Sequence, residues 1–371
     1  EATDFSPPCS RREARLRLAV PDEAMVVLWT GRLELHCKAH HGATFRALAA
    51  AAAACPQRPW VLLMYGTAVM ATIPDALRQA AAQLCPAVEL RLLDGHNLEL
   101  GALARAASDA FLSLVDCLQE TFGLTPVEAM AAGLPVVVSD WNGYRDTVQH
   151  GRTGFLIPTS SYQPGWADPA LLQLAREEKA LDRVSARISG QIQVDAFQAG
   201  AALAQLAASP ATAVAMGELG RQRVLQHYHW PVVLQQYAAL LDQLGERRAR
   251  ALADPALAPL ARLRPIPPLA EVFAVWPSRQ LTATTRLQLA PGASTAGLEQ
   301  LLNLAMVQLY RSELPPELLI RVVFSQLQRQ GPASLAELQA LASPSWPAAE
   351  APRLAEALGF LLKHGQLEVA S

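Results

Sequence analysis

Strand-like and helix-like segments alternate along the first 160 residues, and this alternation constrains the fold most strongly. Short apolar runs that end in glycine or another turn residue are separated by alanine- and leucine-rich segments of helical length. This order predicts a parallel sheet covered by helices on both faces, because parallel strands need a crossover connection between them. Such sheets bind ligands beyond the carboxyl ends of their strands. The sequence therefore predicts an α/β fold with a ligand site at that edge.

The individual segments follow from their composition and from the turn residues that bound them. The expected strands are Met25 to Thr30, Trp60 to Tyr65, Val88 to Leu93, Ala110 to Val115, Pro135 to Ser139 and Gly154 to Pro158. The expected helices are Ala43 to Ala54, Pro74 to Leu84, Leu98 to Ala107, one that follows Gly123, and Tyr144 to Gln149.

The rest of the chain is predicted to be mainly helical and to include a second unit. Residues 160–247 are predicted to be mostly helical, with a long amphipathic helix that begins at Trp230 and ends near Arg248. We predict a first, ligand-binding domain over residues 1–247, a linker rich in Ala, Leu and Pro over 248–269, and a small accessory domain over 270–371. In the accessory domain, the order of four helical segments and a closing strand at Gln366 to Val369 predicts a winged-helix-like module.

Charge and cysteine content exclude several classes of function. The 371 residues are 51% hydrophobic and 17% charged, with a formal net charge of −2, which predicts a folded protein without general attraction to nucleic acid. From residue 295 onwards there are five Arg or Lys against seven Asp or Glu, so we expect the accessory domain to contact a protein or to pack as a cap rather than to bind DNA. Five cysteines, none in a CxxC pair, favour reduced thiols and a cytoplasmic location. We expect no transmembrane segment.

Two glutamates, Glu120 and Glu128, bracket a predicted helix start. Gly123 lies between them, and the Thr125–Pro126 pair is typical of a helix N-terminus. Free N–H groups and the helix dipole make such an N-terminus a site for phosphate. The segment therefore predicts a diphosphate at the helix end with an acid on each side to bind hydroxyl groups. The alternative is that both acids only balance the helix dipole.

Four motifs occur in an order and spacing that resemble one known family. They are Gly31-Arg32-Leu33 followed by Lys38, the block from Glu120 to Met130, Gly133-Leu134-Pro135-Val136-Val137, and the run from Gly151 to Pro158. Residues 1 to about 247 resemble the donor-binding, C-terminal half of a GT-B glycosyltransferase of glycosyltransferase family 4. The resemblance implies a Rossmann-like parallel sheet. It also implies an acceptor-binding half, which we expect in an N-terminal domain outside this chain or in a partner chain.

The resemblance also implies roles for individual residues. The donor would be a UDP-, GDP- or ADP-sugar, with Gly31, Arg32 and Lys38 at its diphosphate. Phe122, Gly123, Leu124 and Thr125 would meet the phosphate and sugar, Glu128 the ribose hydroxyl groups, and Asp94-Gly95 the base. Glu120 would contact the transferred sugar as the catalytic residue. The alternatives are a solvated surface pair for Arg32 and Lys38, and an ordinary turn for Asp94-Gly95.

A metal is not expected to neutralise the leaving diphosphate. The chain contains no Asp-x-Asp motif, so Arg32 and Lys38 are the candidates for stabilising the departing charge. His36, His40 and His41 match no common metal-ligand spacing, and we expect their loop to line the phosphate pocket with His36 as a weak contact. No other cofactor is predicted. Trp141 and Tyr144 are interpreted either as sugar-facing aromatics or as core residues.

The leading hypothesis is a retaining hexosyltransferase that uses a nucleotide-diphosphate sugar in polysaccharide biosynthesis. The alternative is a non-catalytic sugar-nucleotide-binding or scaffold protein whose C-terminal module binds a partner. A third hypothesis, a DNA-binding regulator, is disfavoured by the acidic balance of that module.

Overall fold

A six-stranded sheet in which every neighbouring pair is parallel forms the centre of the N-terminal domain. The structure is a computed structural model that describes residues 7–35, 38–118, 120–163, 181–253, 272–309, 311–342 and 353–370. The strand order is β3-β2-β1-β4-β5-β6. Their bounds are β1 Met25–Thr30, β2 Trp60–Gly66, β3 Val88–Asp94, β4 Ala110–Ser113, β5 Val136–Ser139 and β6 Gly154–Ile157. The predicted α/β fold with a Rossmann-like parallel sheet is confirmed.

The strand β1 explains why the sheet needs helices on both faces. Every residue of β1 is buried. Val27 and Trp29 pack in one apolar cluster, whereas Val26 and Leu28 pack in a second cluster on the opposite face. A strand with two dry faces must be apolar along its whole length, which is the pattern seen in the sequence.

Helices cover both faces of this sheet. Leu98–Ala107 has the predicted bounds, and the long helix that begins at Trp230 extends five residues beyond the predicted end at Arg248, to Ala253. The helices of this part are α1 Arg11–Arg17, α2 His41–Ala54, α3 Ile73–Leu84, α4 Leu98–Ala107, α5 Leu124–Ala131, α6 Tyr144–Thr147, α7 Leu181–Ser189, α8 Ala196–Ala208, α9 Pro210–His227 and α10 Trp230–Ala253.

A second, three-stranded sheet was not predicted. The strands β7 Thr159–Tyr162 and β8 Gln193–Val194 are antiparallel, and β7 also pairs in parallel with β9 Arg279–Leu281. The interpretation of residues 160–247 as helical missed β7 and β8, because both strands are short and their partners are remote in sequence. Ser160 pairs with Arg279, so a strand of the predicted accessory domain completes a sheet of the first domain.

The C-terminal part is helical, as predicted, and also contains a small antiparallel sheet. Its strands are β10 Arg286–Leu289, β11 Ala333–Ser334 and β12 Leu367–Val369, with β10 in the centre. Its helices are α11 Thr295–Leu302, α12 Ala305–Gln308, α13 Glu317–Gln330, α14 Leu335–Ala342 and α15 Leu354–Lys363, with a 3₁₀ turn at Arg311–Glu313. The winged-helix comparison and the domain boundaries stay predictions.

The membrane-spanning potential of the described helices is limited to one bent pair. None of these helices is by itself both long and apolar enough to cross a bilayer. Only Ala196–Ala208 together with the helical residues from Pro210 to Arg250 reaches that length and composition, and the pair is bent by 107°.

Candidate functional site

Three loops meet at the carboxyl edge of the sheet. The lysine loop (residues 31–40) follows β1, the base turn (residues 94–97) follows β3, and the glutamate loop (residues 114–123) follows β4. The four strands β3, β2, β1 and β4 are neighbours and run in the same direction, so their carboxyl ends lie side by side. All of the predicted site residues except Glu128 lie in these loops or within two residues of them. The topology therefore brings segments from far apart in the chain to one edge.

The lysine loop is held against the end of β2 by its backbone. The Gly31 N–H donates to the Tyr65 carbonyl at 3.1 Å, and the Leu33 N–H donates to the Thr67 carbonyl at 2.9 Å. Between them, the Arg32 side chain is 53% exposed and pairs with the carboxylate of Glu34 at 3.3 Å. Arg32 thus lies on an anchored backbone with its charge open to solvent. His36, the weak contact candidate, lies outside the described residues.

Lys38 and Glu120 form an ion pair that joins the lysine loop to the glutamate loop. Their side chains are 18% and 11% exposed, respectively. Burial lowers the pKa of the Lys38 amino group below its usual range, and the nearby Arg32 guanidinium acts in the same direction. The Cys117 side chain acts in the opposite direction. The two residues predicted for the diphosphate and the sugar are therefore in direct contact.

The N-terminus of α5 has no side-chain cap. Its N-cap residue is Gly123, in the left-handed conformation with φ +83°, and its first turn contains no acidic residue. A Cβ atom at position 123 would lie 2.2 Å from Cε1 of Tyr144, so a larger residue is excluded by contact as well as by conformation. Beside it, the side chains of Phe122 and Leu124 are 42% and 65% exposed. The free N–H groups of this helix end suit an anion.

Glu128 lies in the second turn of α5, and part of its side chain is open to solvent. Partial burial of its carboxyl group raises the pKa above the ordinary value, and the Arg105 guanidinium opposes the shift. A carboxyl group in such surroundings gives up its proton at a higher pH than a free glutamate does. Glu128 thus lies within the helix whose start Glu120 precedes.

The base turn packs tightly against the end of β2. The Gly95 N–H donates to the Gly66 carbonyl at 3.0 Å, and the Tyr65 hydroxyl donates to the Gly95 carbonyl at 3.1 Å. A Cβ atom at position 95 would lie 2.6 Å from the Gly66 carbonyl carbon. The Asp94 carboxylate accepts from the His96 N–H at 3.0 Å. The turn is therefore well defined, and the alternative of an ordinary turn stays open alongside a role in base binding.

Trp141 and Tyr144 are core residues, so the packing interpretation is the correct one. Their exposed fractions are 2% and 0%. The Trp141 indole N–H donates to the Cys117 carbonyl at 3.0 Å, and the Tyr144 hydroxyl lies 2.9 Å from the Ser113 hydroxyl. Both aromatic rings therefore pack against the glutamate loop from the protein interior and do not face a ligand.

One residue of the glutamate loop was missed by the sequence analysis. Asp116 is 2% exposed and forms an ion pair with Lys363, at the end of α15. Nothing in the local sequence distinguishes Asp116 from a surface acid, because its partner lies 247 residues away. A buried acid on a loop of the candidate site can be recognised only once the fold is known.

Among the described residues, His40 and His41 do not belong to a cluster of metal-ligating side chains. Within the described ranges, no group of three or more His, Cys, Asp or Glu side chains could hold a metal ion. His40 accepts from the Gly42 N–H as the N-cap of α2. His41 is fully buried against Trp29, and burial lowers its pKa to about 4. These two rings serve packing and capping.

Comparison with known proteins finds similarity over part of the chain. The family model described as glycosyl transferases group 1 matches residues 24–176. A D-inositol 3-phosphate glycosyltransferase of Nocardioides sp. is 32% identical over 194 residues, which cover 48% of this chain and 40% of that protein. The chain thus spans about two fifths of the length of the curated relatives it matches.

Two solved structures align with part of this chain at lower sequence identity. Sucrose-phosphate synthase from Thermosynechococcus elongatus is 24% identical with a TM-score of 0.44, over 67% of this chain and 51% of that one. HepE of Anabaena, solved with UDP, is 20% identical with a TM-score of 0.45, over 64% of this chain and 54% of that one.

The parallel sheet, its anchored loops and an uncapped helix end at the carboxyl edge define a Rossmann-like domain with a candidate ligand site. More specifically, residues 24–176 of this chain are similar to the family described as glycosyl transferases group 1.

Proposed function

We propose that this chain binds a nucleotide-diphosphate sugar at the carboxyl edge of the sheet and takes part in sugar transfer with retention at the anomeric carbon. The observation that carries the proposal is the Lys38–Glu120 ion pair beside the uncapped N-terminus of α5. We infer that each charged group of this pair can be replaced by a group of the ligand. A phosphate would replace Glu120 as the partner of Lys38, and sugar hydroxyl groups would replace Lys38 as the partner of Glu120.

The diphosphate would bind between two cationic side chains and a helix end. Arg32 is solvent-open and Lys38 is partly buried, so the first can reach outward while the second acts where water is scarce. The backbone at Gly31 and at Phe122-Gly123-Leu124-Thr125 would line the pocket. The donor-binding roles of Glu128 at the ribose and of Asp94-Gly95 at the base stay part of the proposal.

The reaction would proceed on one face of the sugar. The bond between the anomeric carbon and the diphosphate oxygen breaks, and a bond from that carbon to the acceptor oxygen forms. The departing phosphate oxygen takes the proton of the acceptor hydroxyl group, so no strong protein base is required. Arg32 and Lys38 stabilise the negative charge that develops on the leaving group. Glu120 orients the transferred sugar next to the reacting atoms.

Calorimetric titration of the 371-residue chain with UDP, GDP and ADP tests the binding step. We expect one of the three to bind, and we expect Lys38→Ala and Glu128→Gln to weaken that binding. Arg91→Gln is a matched control, because Arg91 is a cation of the same sheet whose guanidinium contacts Glu89 and the Leu18 carbonyl instead of the candidate site. Absence of binding by all three nucleotides would refute the proposal.

Turnover separates an enzyme from a binding protein. Release of nucleoside diphosphate from the bound sugar nucleotide, measured with and without an added acceptor-binding domain, would support transfer. Binding without any turnover would favour the alternative of a sugar-nucleotide-binding scaffold protein. A cytoplasmic location and a role in polysaccharide biosynthesis stay predictions from the sequence.

A further inference from the structure

The C-terminal end of α15 contacts both loops that carry the Lys38–Glu120 pair. The Lys363 ammonium group pairs with the Asp116 carboxylate and donates to the Ser189 carbonyl at 2.7 Å. Asp116 belongs to the glutamate loop and precedes Glu120 by four residues. The side chains of Lys363 and Asp116 are 4% and 2% exposed. A lysine of the C-terminal part is thus inserted into the base of the glutamate loop.

The lysine loop is contacted at the same place. The imidazole of His364 packs edge-on against that of His40, with 4.4 Å between ring centroids. Burial raises the pKa of the Asp116 carboxyl group, and the Lys363 ammonium group and the backbone N–H of His40 oppose this shift. His40 is two residues from Lys38, so Asp116, His40 and the pair Lys363-His364 link the two loops to one another and to α15.

Several further contacts hold α15 in register. Gly359 lies close to Gln191, in the segment between α7 and β8. A Cβ atom at position 359 would be 3.0 Å from the Gln191 Cα. The Arg187 and Glu356 side chains, which are 14% and 4% exposed, approach to 3.9 Å. The pairing of β9 with β7 ties the C-terminal part to the first domain at a separate point. The helix end is therefore placed by contacts independent of the two loops.

We propose that Lys363 and His364 are positioning residues for the candidate donor site. They act through Asp116 and His40 to hold the glutamate and lysine loops at the separation that lets Lys38 and Glu120 bind a diphosphate and its sugar together. This inference rests on the proposed function and gives the C-terminal part a task in it. The buried charge pair suits this task because a desolvated ammonium group accepts few alternative positions once its carboxylate is placed.

The test compares variants of the full chain at a temperature where each is folded. Lys363→Met removes the charge and keeps the length of the side chain. Leu298→Ala is the matched control, because Leu298 is buried in α11 of the same C-terminal part and its truncation costs stability through a cavity. For each variant, nucleoside diphosphate affinity is measured by calorimetry, and hydrogen exchange is followed in peptides that cover residues 38–42 and 114–123.

We expect Lys363→Met to weaken nucleotide binding by about tenfold and to speed exchange in both loops, while Leu298→Ala leaves both measurements at the wild-type level. Lys363→Arg, which restores the charge, should recover affinity. Wild-type affinity in Lys363→Met, or equal losses in the Met and Arg variants, would overturn the inference.

A second variant decides the matter if Lys363→Met does not fold. His364→Leu leaves the charge pair intact and should weaken binding, with faster exchange confined to the lysine loop. Unchanged affinity and unchanged exchange in His364→Leu would overturn the inference in that case. If the wild-type chain binds none of UDP, GDP and ADP, the proposed function has failed, which is a different result from wild-type binding that the variants leave unaltered.

Discussion

Two lysine–carboxylate pairs meet on the same loop, and they differ mainly in burial. Glu120 pairs with Lys38, and the two side chains are 11% and 18% exposed. Asp116, four residues earlier, pairs with Lys363, and these side chains are 2% and 4% exposed. The first pair lies beside an uncapped helix end, whereas the second is buried between the glutamate loop and α15. We infer that the outer pair, Lys38–Glu120, can exchange its partners for groups of a ligand and that the inner pair, Lys363–Asp116, cannot.

The physical reason is the cost of leaving a charge unpaired. At the outer pair, water or a ligand can replace a missing partner, so the loss of one member is partly compensated. At the inner pair, a remaining charge would be isolated from water, which costs several kcal/mol. A lysine–carboxylate pair can therefore exchange partners with a ligand at the outer position, whereas at the inner position it fixes the glutamate loop. The following predictions test this contrast, from the largest expected effect to the smallest.

Breaking the inner pair should give the largest loss of stability. Lys363→Met leaves the Asp116 carboxylate buried without its counter-ion, and we expect the free energy of unfolding to fall by about 3–5 kcal/mol. Urea denaturation of the full chain measures the change. The double variant Asp116→Asn with Lys363→Met should lose less, because neither charge remains. A single variant as stable as the wild type would show that the inner pair has no structural role.

Breaking the outer pair should affect binding more than stability. Lys38→Ala removes a charged contact to the proposed diphosphate, which costs about 1.5–3 kcal/mol of binding free energy. Its effect on the free energy of unfolding should be smaller than that of Lys363→Met. Calorimetry and urea denaturation of the same preparation give both quantities. A reversed order, with Lys38→Ala the more destabilising of the two, would contradict the contrast.

The pH dependence of binding should report Glu128. Burial raises the pKa of its carboxyl group above the ordinary value of 4.5. Ribose binding uses the carboxylate, so nucleotide affinity should fall as the pH is lowered through the raised pKa. Stability should change in the opposite sense: between 4.5 and the raised pKa the folded state holds more protons than the unfolded state, so stability decreases as pH rises.

The variant Glu128→Gln isolates this group. It should bind nucleotide more weakly at neutral pH and should lose the part of the pH dependence that Glu128 causes, in both affinity and stability. Titrations at matched pH values for wild type and variant give the comparison. Identical pH profiles for the two proteins would show that Glu128 does not bind the ribose.

Salt should produce the smallest effect. Raising the ionic strength from about 0.05 to about 0.5 M shortens the range of charge interactions and should weaken nucleotide binding by a few fold. Lys38→Ala should have a shallower dependence on salt. The stability contributed by Lys363 and Asp116 should hardly respond, because salt does not reach a buried pair. Equal salt dependence of binding in wild type and Lys38→Ala would show that Lys38 does not bind the diphosphate.

The parts of the fold that could be predicted have signals within their own segments. The strands β1 and β2 carry continuous apolar runs, and the helix Leu98–Ala107 begins at an Asn cap. Arg32 was predicted because it lies just beyond a strand end, Glu120 because it precedes a predicted helix start, and Lys38 because of the family resemblance. Their meeting at one edge followed from the parallel order, whereas their roles remain part of the proposal.

The parts that could not be predicted depend on partners far along the chain. β9 is the three-residue strand Arg279–Leu281, and it has no apolar run of its own. The Asp116–Lys363 pair joins two parts of the molecule without any periodic pattern in either segment. Local composition determines where a strand or helix forms, but pairing over such separations depends on the complete fold.

The pairing of β7 with β9 has a consequence for the newly made chain. The two strands are separated by 119 residues, as Ser160 and Arg279 are. At about 5–20 residues per second, a ribosome needs on the order of ten seconds to make that stretch, so β7 leaves the ribosome well before its parallel partner exists. Until then, one edge of β7 is open to strands of other nascent chains. Slower growth at low temperature and a chaperone that shields this edge should therefore raise the yield of folded protein.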